Sequence, residues 1–191
     1  KLEQKQQILE MAEVGRRLPT GVAAYKPPGS PPGADKRVFD FVGMLGLPLV
    51  PCHEFPTNAS AAFFSLHAMK DPAFPASLAR FLDAGHAALL TDTLAGALPQ
   101  EVLAGRRKVG VLPVRGDPKR VMELEPGVID ALREPLLSAL GIRFRAPARV
   151  QLVLFSDGSR VVSNFRDEPV EVELDGGKET VPARGWVQRW R

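Results

Sequence analysis

Four short apolar runs in the first half of the chain each end in polar residues, and helical patterns separate most of them. Uninterrupted apolar runs of this length are typical of parallel strands that are buried on both faces of a sheet. The pattern predicts a parallel α/β sheet with polar residues beyond the carboxyl ends of its strands, where open α/β sheets bind ligands. The runs are Val22–Tyr25 before Lys26, Pro48–Val50 before Cys52, His53 and Glu54, Ala61–Phe64 before Ser65 and His67, and Ala87–Leu90 before Thr91, Asp92 and Thr93.

Helical patterns occur before, between and after these strands. Residues 2–17 predict a lead-in helix. Asp35 is the predicted N-cap of a helix that reaches Leu45. Another helix is predicted at Pro75–Ala84, and a longer one runs from Pro126 to Leu140, where we expect Pro135 to kink or split it. The predicted parallel strands are Gly21–Tyr25, Leu47–Cys52, Ala61–Leu66, Ala87–Leu90 and Val109–Val114.

From Arg149 onwards the hydrophobic period changes to two. Val150–Phe155 and Arg160–Phe165 flank an Asp-Gly pair and predict a hairpin. Pro169–Leu174 and Gly185–Trp190 add two strands, so the sequence predicts a small antiparallel β meander. The predicted organisation is a lead-in helix at 1–20, an α/β domain at 21–148 and an antiparallel β subdomain at 149–191 that packs on it.

Composition narrows the class of protein and its partners. The 191 residues are 45% hydrophobic and 25% charged, with a net charge of +3 and scattered basic residues, so neither a nucleic acid partner nor a membrane span is predicted. Cys52 is the single cysteine, which excludes an internal disulfide. The chain begins directly in a helical pattern at Lys1, so we expect either a fragment of a longer protein or a chain whose first residues are missing. A secreted or periplasmic location stays open if a signal peptide precedes it.

Three phrases in the first half carry a resemblance to a known family. The phrases are Gly21-Val-Ala-Ala-Tyr25, Leu78-Ala-Arg-Phe-Leu-Asp-Ala-Gly85 and Ala88-Leu-Leu-Thr-Asp-Thr-Leu-Ala-Gly96. With them, residues 21–98 resemble the class I glutamine amidotransferase-like, flavodoxin-type domain that follows the catalytic barrel in bacterial β-galactosidases and related glycoside hydrolases. The tail at 160–190 is similar to the small C-terminal β domain of many glycosidases.

The resemblance implies a structural role. It contains no catalytic signature, and the barrel with its two catalytic carboxylates is not in this chain. We therefore expect a non-catalytic accessory region that packs against an N-terminal catalytic domain of the same protein or supports a homo-oligomer. With the sequence pattern, it predicts an α/β fold: a flavodoxin-like, three-layer parallel sheet followed by the antiparallel β meander.

Cys52 is the sharpest candidate for catalysis, with His53 and Glu54 beside it. A divergent cysteine hydrolase or amidotransferase would use this thiol as nucleophile. Class I amidotransferases place their cysteine on a tight elbow flanked by glycines, and Cys52 has prolines nearby and no flanking glycine. The alternative is a structural thiol at the end of a strand.

Other strand-end residues are candidates for binding. Lys26, His53, His67 and Asp92 are predicted at the carboxyl edge of the sheet, where they could contact a ligand. His53, Glu54, His67 and Asp92 match no metal-ligand spacing, and no metal is predicted. No cofactor is predicted either, because four of the eight residues at 26–33 are prolines, which leaves few N–H donors for a phosphate.

Two tryptophans offer a different kind of binding surface. Trp186 and Trp190 are predicted on one face of the last strand. Their rings could stack on sugars, as in a carbohydrate-binding module, or they could cover the seam between the meander and the α/β part.

Overall fold

The computed structural model describes residues 14–190, and their fold is mixed α/β. A five-stranded sheet in the order β3-β2-β4-β5-β6 has only parallel neighbours. The predicted α/β class is therefore confirmed, and this strand order is consistent with a flavodoxin-like fold. The first six strands are β1 Pro19–Thr20, β2 Val22–Tyr25, β3 Leu49–Cys52, β4 Ala61–Phe64, β5 Ala87–Thr91 and β6 Val109–Leu112.

Helices cover both faces of the parallel sheet. On one face, Phe63 of β4 belongs to the same apolar cluster as residues of α1 and α4. On the other, the adjacent Phe64 packs in a second cluster with α2 and α3. Successive strand residues point to opposite faces, so two apolar neighbours require a sheet that is buried on both sides. The helices are α1 Val38–Gly43, α2 Phe74–Asp83, α3 Asp92–Ala97 and α4 Pro126–Ala139.

Several predicted helix details change. Asp35 does not cap α1: Arg37 occupies that position with a φ of 65°, and the helix ends before Leu45. Pro135 does not split α4, which is one continuous helix. Pro135 is solvent-exposed there, so water can reach the backbone carbonyl that its missing N–H leaves unbonded. The predicted lead-in helix lies mostly outside the described residues.

The last part of the chain forms two antiparallel sheets where the sequence predicts one meander. Their orders are β1-β8-β9-β12 and β11-β10-β7. The predicted hairpin, β8 with β9, is confirmed, but the chain then crosses to the second sheet before β12 returns to pair with β9. The strands are β7 Phe144–Arg145, β8 Val150–Phe155, β9 Arg160–Asn164, β10 Val170–Leu174, β11 Gly177–Val181 and β12 Trp186–Arg189.

Strand β11 was not predicted. Asp175 and Gly176 have φ of 53° and 84°, and they join β10 to β11 through a two-residue turn. Positive φ at both central residues is the mark of the type I′ hairpin turn. The residues after that turn are mainly polar and exposed, which hides the strand from an analysis of hydrophobic periodicity.

Arg133 of α4 connects the parallel part to the antiparallel part. Its guanidinium is 1% exposed and donates hydrogen bonds to the carbonyls of Leu45 at 2.9 Å and Ala146 at 2.7 Å. It also pairs with Asp130 and lies 5.2 Å from the centre of the Phe144 ring in β7. One buried side chain therefore ties three separate backbone segments together.

No helix within residues 14–190 has both the length and the apolar character needed to cross a membrane.

Candidate functional site

An open groove of about 730 Å³ runs along β3, the edge strand of the parallel sheet. Its other walls are the loop after β2, the helix α1 and the strand β8. The groove reaches the carboxyl ends of β2 and β4. After β2 the chain continues to β3 on one side of the sheet, and after β4 it continues to β5 on the other side. Open α/β sheets bind ligands at such a switch in strand order. Its polar side chains are Thr20, Lys26, Ser30, Lys36, Arg37, Asp40, His53, His67 and Gln151.

Asp35 fixes the loop that forms one wall of the groove. Its carboxylate is fully buried and accepts hydrogen bonds from the Leu66 N–H and the Thr91 hydroxyl, both at 2.6 Å. The Thr93 hydroxyl donates to the other carboxylate oxygen. Asp35 thus joins the loop after β2 to the ends of β4 and β5, and it satisfies three donors that the sheet edge would otherwise bury.

His67 and Ser30 form the polar floor of the groove. The Ser30 hydroxyl lies 3.0 Å from Nδ1 of His67, and the His67 ring contacts Phe39 with 5.5 Å between ring centres. Burial lowers the pKa of His67, and the charge of Lys26 acts in the same direction; a backbone hydrogen bond from Ser30 and the charge of Asp35 oppose them. His67 is therefore neutral at neutral pH.

The lowered pKa of His67 predicts how stability depends on pH. A histidine in an unfolded chain titrates at about pH 6.5, whereas folded His67 binds its proton only at a lower pH. Below about pH 6.5 the unfolded state therefore binds more protons than the folded state, and the free energy of unfolding falls. We expect His67→Gln to lose less stability than the wild type between about pH 7.5 and about pH 5.5. Urea unfolding at the two pH values measures this difference.

The matched control is Phe39→Leu, which disturbs the packing of the same ring without removing a titratable group. It should keep the wild-type dependence on pH. Identical pH dependence in His67→Gln and the wild type would contradict the assignment of this effect to His67.

The contact between Ser30 and His67 resembles the serine–histidine pair of a catalytic triad, but its surroundings do not suit catalysis. A serine nucleophile commonly stabilises the oxyanion with the N–H of the residue that follows it. Here that residue is Pro31, which has no N–H. The nearby carboxylate of Asp35 is already occupied by Leu66 and the two threonines. The pair therefore serves better as a binding surface than as a nucleophile and base.

Cys52 lies at the end of β3 and packs against the apolar cluster that contains Tyr25. Burial raises the pKa of the Cys52 thiol above its usual value. Activated cysteines show the opposite shift, because a neighbouring positive charge or helix N-terminus stabilises the thiolate. Tyr25 is also held protonated: burial and a 3.1 Å hydrogen bond to Asp71 raise its pKa to about 12.

The remaining strand-end residues separate in the structure. His53 is exposed and its Nδ1 lies 3.0 Å from the carbonyl of Lys26, while Glu54 is exposed. Asp92 accepts hydrogen bonds from the N–H groups of Val114 and Arg115, so it fastens the loop after β6. Within residues 14–190, no group of three or more His, Cys, Asp or Glu side chains could hold a metal ion.

The two tryptophans do not line the groove and differ from each other. Trp186 is 38% exposed, and its Nε1–H donates to the Gln188 side chain at 2.9 Å. Trp190 is half-buried, in contact with Phe155 and covered by the Arg17 guanidinium 4.6 Å from its ring centre. Trp186 therefore presents the more accessible indole.

Three of the predicted candidates, Lys26, His53 and His67, line the same groove. Sequence analysis missed Ser30 and Lys36, which share it. The proline-rich composition of the loop predicts a rigid segment, and nothing in its pattern marks Ser30 as a binding residue. Lys36 gives no sequence signal. It follows the short 3-10 turn Gly33–Asp35, which the buried Asp35 anchors, so its place in the groove depends on a long-range contact.

The chain matches no protein-family model, and comparisons with curated proteins and with solved structures find no match. The resemblance to amidotransferase-like domains therefore rests on the sequence phrases quoted above.

Proposed function

We propose that this chain is a non-catalytic accessory region of a larger, bacterial, glycoside-hydrolase-like protein and acts through domain packing or oligomer contacts. The proposal extends to a flavodoxin-type, three-layer arrangement related to the amidotransferase-like domains of such proteins. The strand order of the parallel sheet supports the flavodoxin-type arrangement. The relation to amidotransferase-like domains is supported by the sequence phrases at 21–98.

The state of Cys52 is the observation that carries the proposal. It is the single cysteine of the chain, and burial raises its pKa, so little reactive thiolate forms near neutral pH. The serine in the groove precedes a proline and lacks the usual oxyanion donor. Neither candidate nucleophile therefore has the surroundings that acyl transfer requires.

Exposed aromatic side chains at one sheet edge support the contact role. Strand β12 is the edge of the four-stranded sheet, and Trp186 on it is 38% exposed. Phe165, directly after the neighbouring strand β9, is 40% exposed. Aromatic residues of this kind are enriched where protein surfaces meet. This edge is the surface that we assign to packing against a catalytic domain or a second copy.

Activity assays on the purified chain test the non-catalytic role. Suitable substrates are p-nitrophenyl glycosides, L-glutamine with ammonia detection, and p-nitrophenyl acetate. We expect the wild type, Cys52→Ala and Ser30→Ala to show the same background rate. Turnover that disappears in either variant would identify an enzyme and overturn the proposal.

Carbohydrate binding at Trp186 is the second candidate function. The hydrogen bond from its indole to Gln188 fixes the ring on an exposed strand edge, as stacking on a sugar requires. If this function holds, titration with oligosaccharides changes tryptophan fluorescence in the wild type and in Trp190→Phe but not in Trp186→Phe. A flat titration with the wild type would exclude this candidate.

A further inference from the structure

We propose that the groove beside β3 binds a small organic anion with an apolar body, with Lys26 and Lys36 facing its charged group and the exposed strand edge contacting its body. The inference goes beyond the accessory role, since a packing domain needs no ligand. Either of the two can fail without the other.

The charge of the groove favours an anion. Lys26, Lys36 and Arg37 are its strongly basic residues, and Asp40 is its one acidic residue among residues 14–190. Arg37 is paired with Asp40, with 3.2 Å between Nε and Oδ2. Neither lysine forms an ion pair with another described residue. Two ammonium groups at a concave surface give a positive potential that concentrates anions.

The histidine in the floor adds a hydrogen-bonding group and no charge. His67 is 4% exposed and neutral, and Ser30 occupies its Nδ1. Nε2 is the ring nitrogen that Ser30 does not engage. A buried neutral imidazole beside a lysine suits a ligand whose charged end also carries a polar group.

The apolar walls set the size and character of the rest of the ligand. Leu49, Val50 and Pro51 of the edge strand line the groove together with Val153 of β8 and Phe39 of α1. The volume of about 730 Å³ lies within the range of about 300–1,000 Å³ typical of small-molecule sites. Pro51 has no N–H to donate to an added strand, which favours a small molecule over an extended peptide.

The site is also organised before a ligand arrives. Asp35 anchors the loop that precedes Lys36, and the contact between Ser30 and His67 joins the loop after β2 to the turn after β4. Four prolines at 27, 28, 31 and 32 stiffen the same loop. Binding therefore has little backbone to order, and this lowers its entropic cost.

Two fluorescent probes of the same shape test the proposal on the full 191-residue chain. One is 8-anilinonaphthalene-1-sulfonate; the other is N-phenyl-1-naphthylamine, which has the same ring system without the sulfonate. We expect the anionic probe to bind more tightly than the neutral one, and we expect its affinity to fall as salt is added. Lys26→Gln and Lys36→Gln should each weaken it about five-fold and leave the neutral probe unchanged.

Two further variants locate the site. Lys108→Gln removes the same charge at the opposite end of the sheet, where Lys108 donates to the Gly85 carbonyl, and should bind as the wild type does. Val153→Trp fills the groove and should reduce binding of both probes. All four variants lie on exposed or half-buried positions, and circular dichroism checks that they fold.

The proposal is overturned if the two probes bind equally well, or if Lys108→Gln weakens the anion as much as the two groove lysines do. It is also overturned if Val153→Trp leaves binding unchanged, because the probe then lies elsewhere. None of these results bears on the activity assays that test the accessory role.

Discussion

Replacing Asp35 with alanine is expected to lower the free energy of unfolding by about 3 kcal/mol. The carboxylate is fully buried and accepts hydrogen bonds from Leu66, Thr91 and Thr93. Alanine provides no acceptor, so the Leu66 N–H of this partly buried contact loses its partner and the two hydroxyls must find other acceptors. Urea unfolding followed by circular dichroism measures the loss.

The control for Asp35 is a solvent-exposed carboxylate that also accepts a hydrogen bond from a backbone N–H. Asp117 accepts a 3.1 Å hydrogen bond from the Lys119 N–H and is exposed, so Asp117→Ala should cost about 1 kcal/mol or less. Asp35→Asn keeps the size of the side chain and one acceptor oxygen, so its loss of stability should lie between those of Asp35→Ala and Asp117→Ala. Equal losses in Asp35→Ala and Asp117→Ala would show that Asp35 does not hold the sheet edge together.

Arg133→Met is expected to cost about 3 kcal/mol as well. The substitution leaves the carbonyls of Leu45 and Ala146 without their donor and removes the pairing with Asp130. Burial lowers the pKa of Arg133, and the hydrogen bond and charge of Asp130 oppose that shift. Because these contacts join the parallel and antiparallel parts, unfolding measured by probes of either part should change together.

Two variants separate the role of the guanidinium from the loss of a charge. Arg37→Met removes an exposed arginine from an ion pair with Asp40 and should change stability by less than about 0.5 kcal/mol. Arg133→Lys keeps the charge but lacks the planar fork that reaches two carbonyls, so it should recover only part of the loss. If Arg133→Met is as stable as the wild type, hydrophobic packing replaces the bridge, and the bridge does not hold the two parts together.

The parallel sheet could be predicted from the sequence because its signal is local. Each strand is a short apolar run, and the adjacent pair Phe63 and Phe64 already requires a sheet covered on both faces. In the antiparallel sheets only the hairpin of β8 and β9 has a local signal of this kind. Thr20 pairs with Leu154 and Leu174 pairs with Phe144, contacts between segments far apart in the sequence. The polar strand β11 carries no hydrophobic period at all.

Asp35 shows why the site was harder to predict than the fold. An aspartate before an apolar helical pattern is the ordinary sign of an N-cap, and the sequence analysis assigned it that role. The structure uses the same oxygens for Thr91, which lies 56 residues away. The groove depends in turn on bringing Val50 of β3 and Val153 of β8 to one surface, a long-range relation that local patterns do not contain. Lys26, His53 and His67 could be predicted as candidates because they follow directly or closely after predicted strands.

Whether the strand ends hold an activated nucleophile is tested most directly by the rate at which iodoacetamide alkylates Cys52 as pH is varied. The raised pKa predicts slow reaction of the folded chain near neutral pH and an apparent pKa above the ordinary thiol value of 9.0. The same chain in urea provides the reference for an exposed thiol. A fast reaction with an apparent pKa well below about 8 would reveal an activated thiolate and contradict the accessory role.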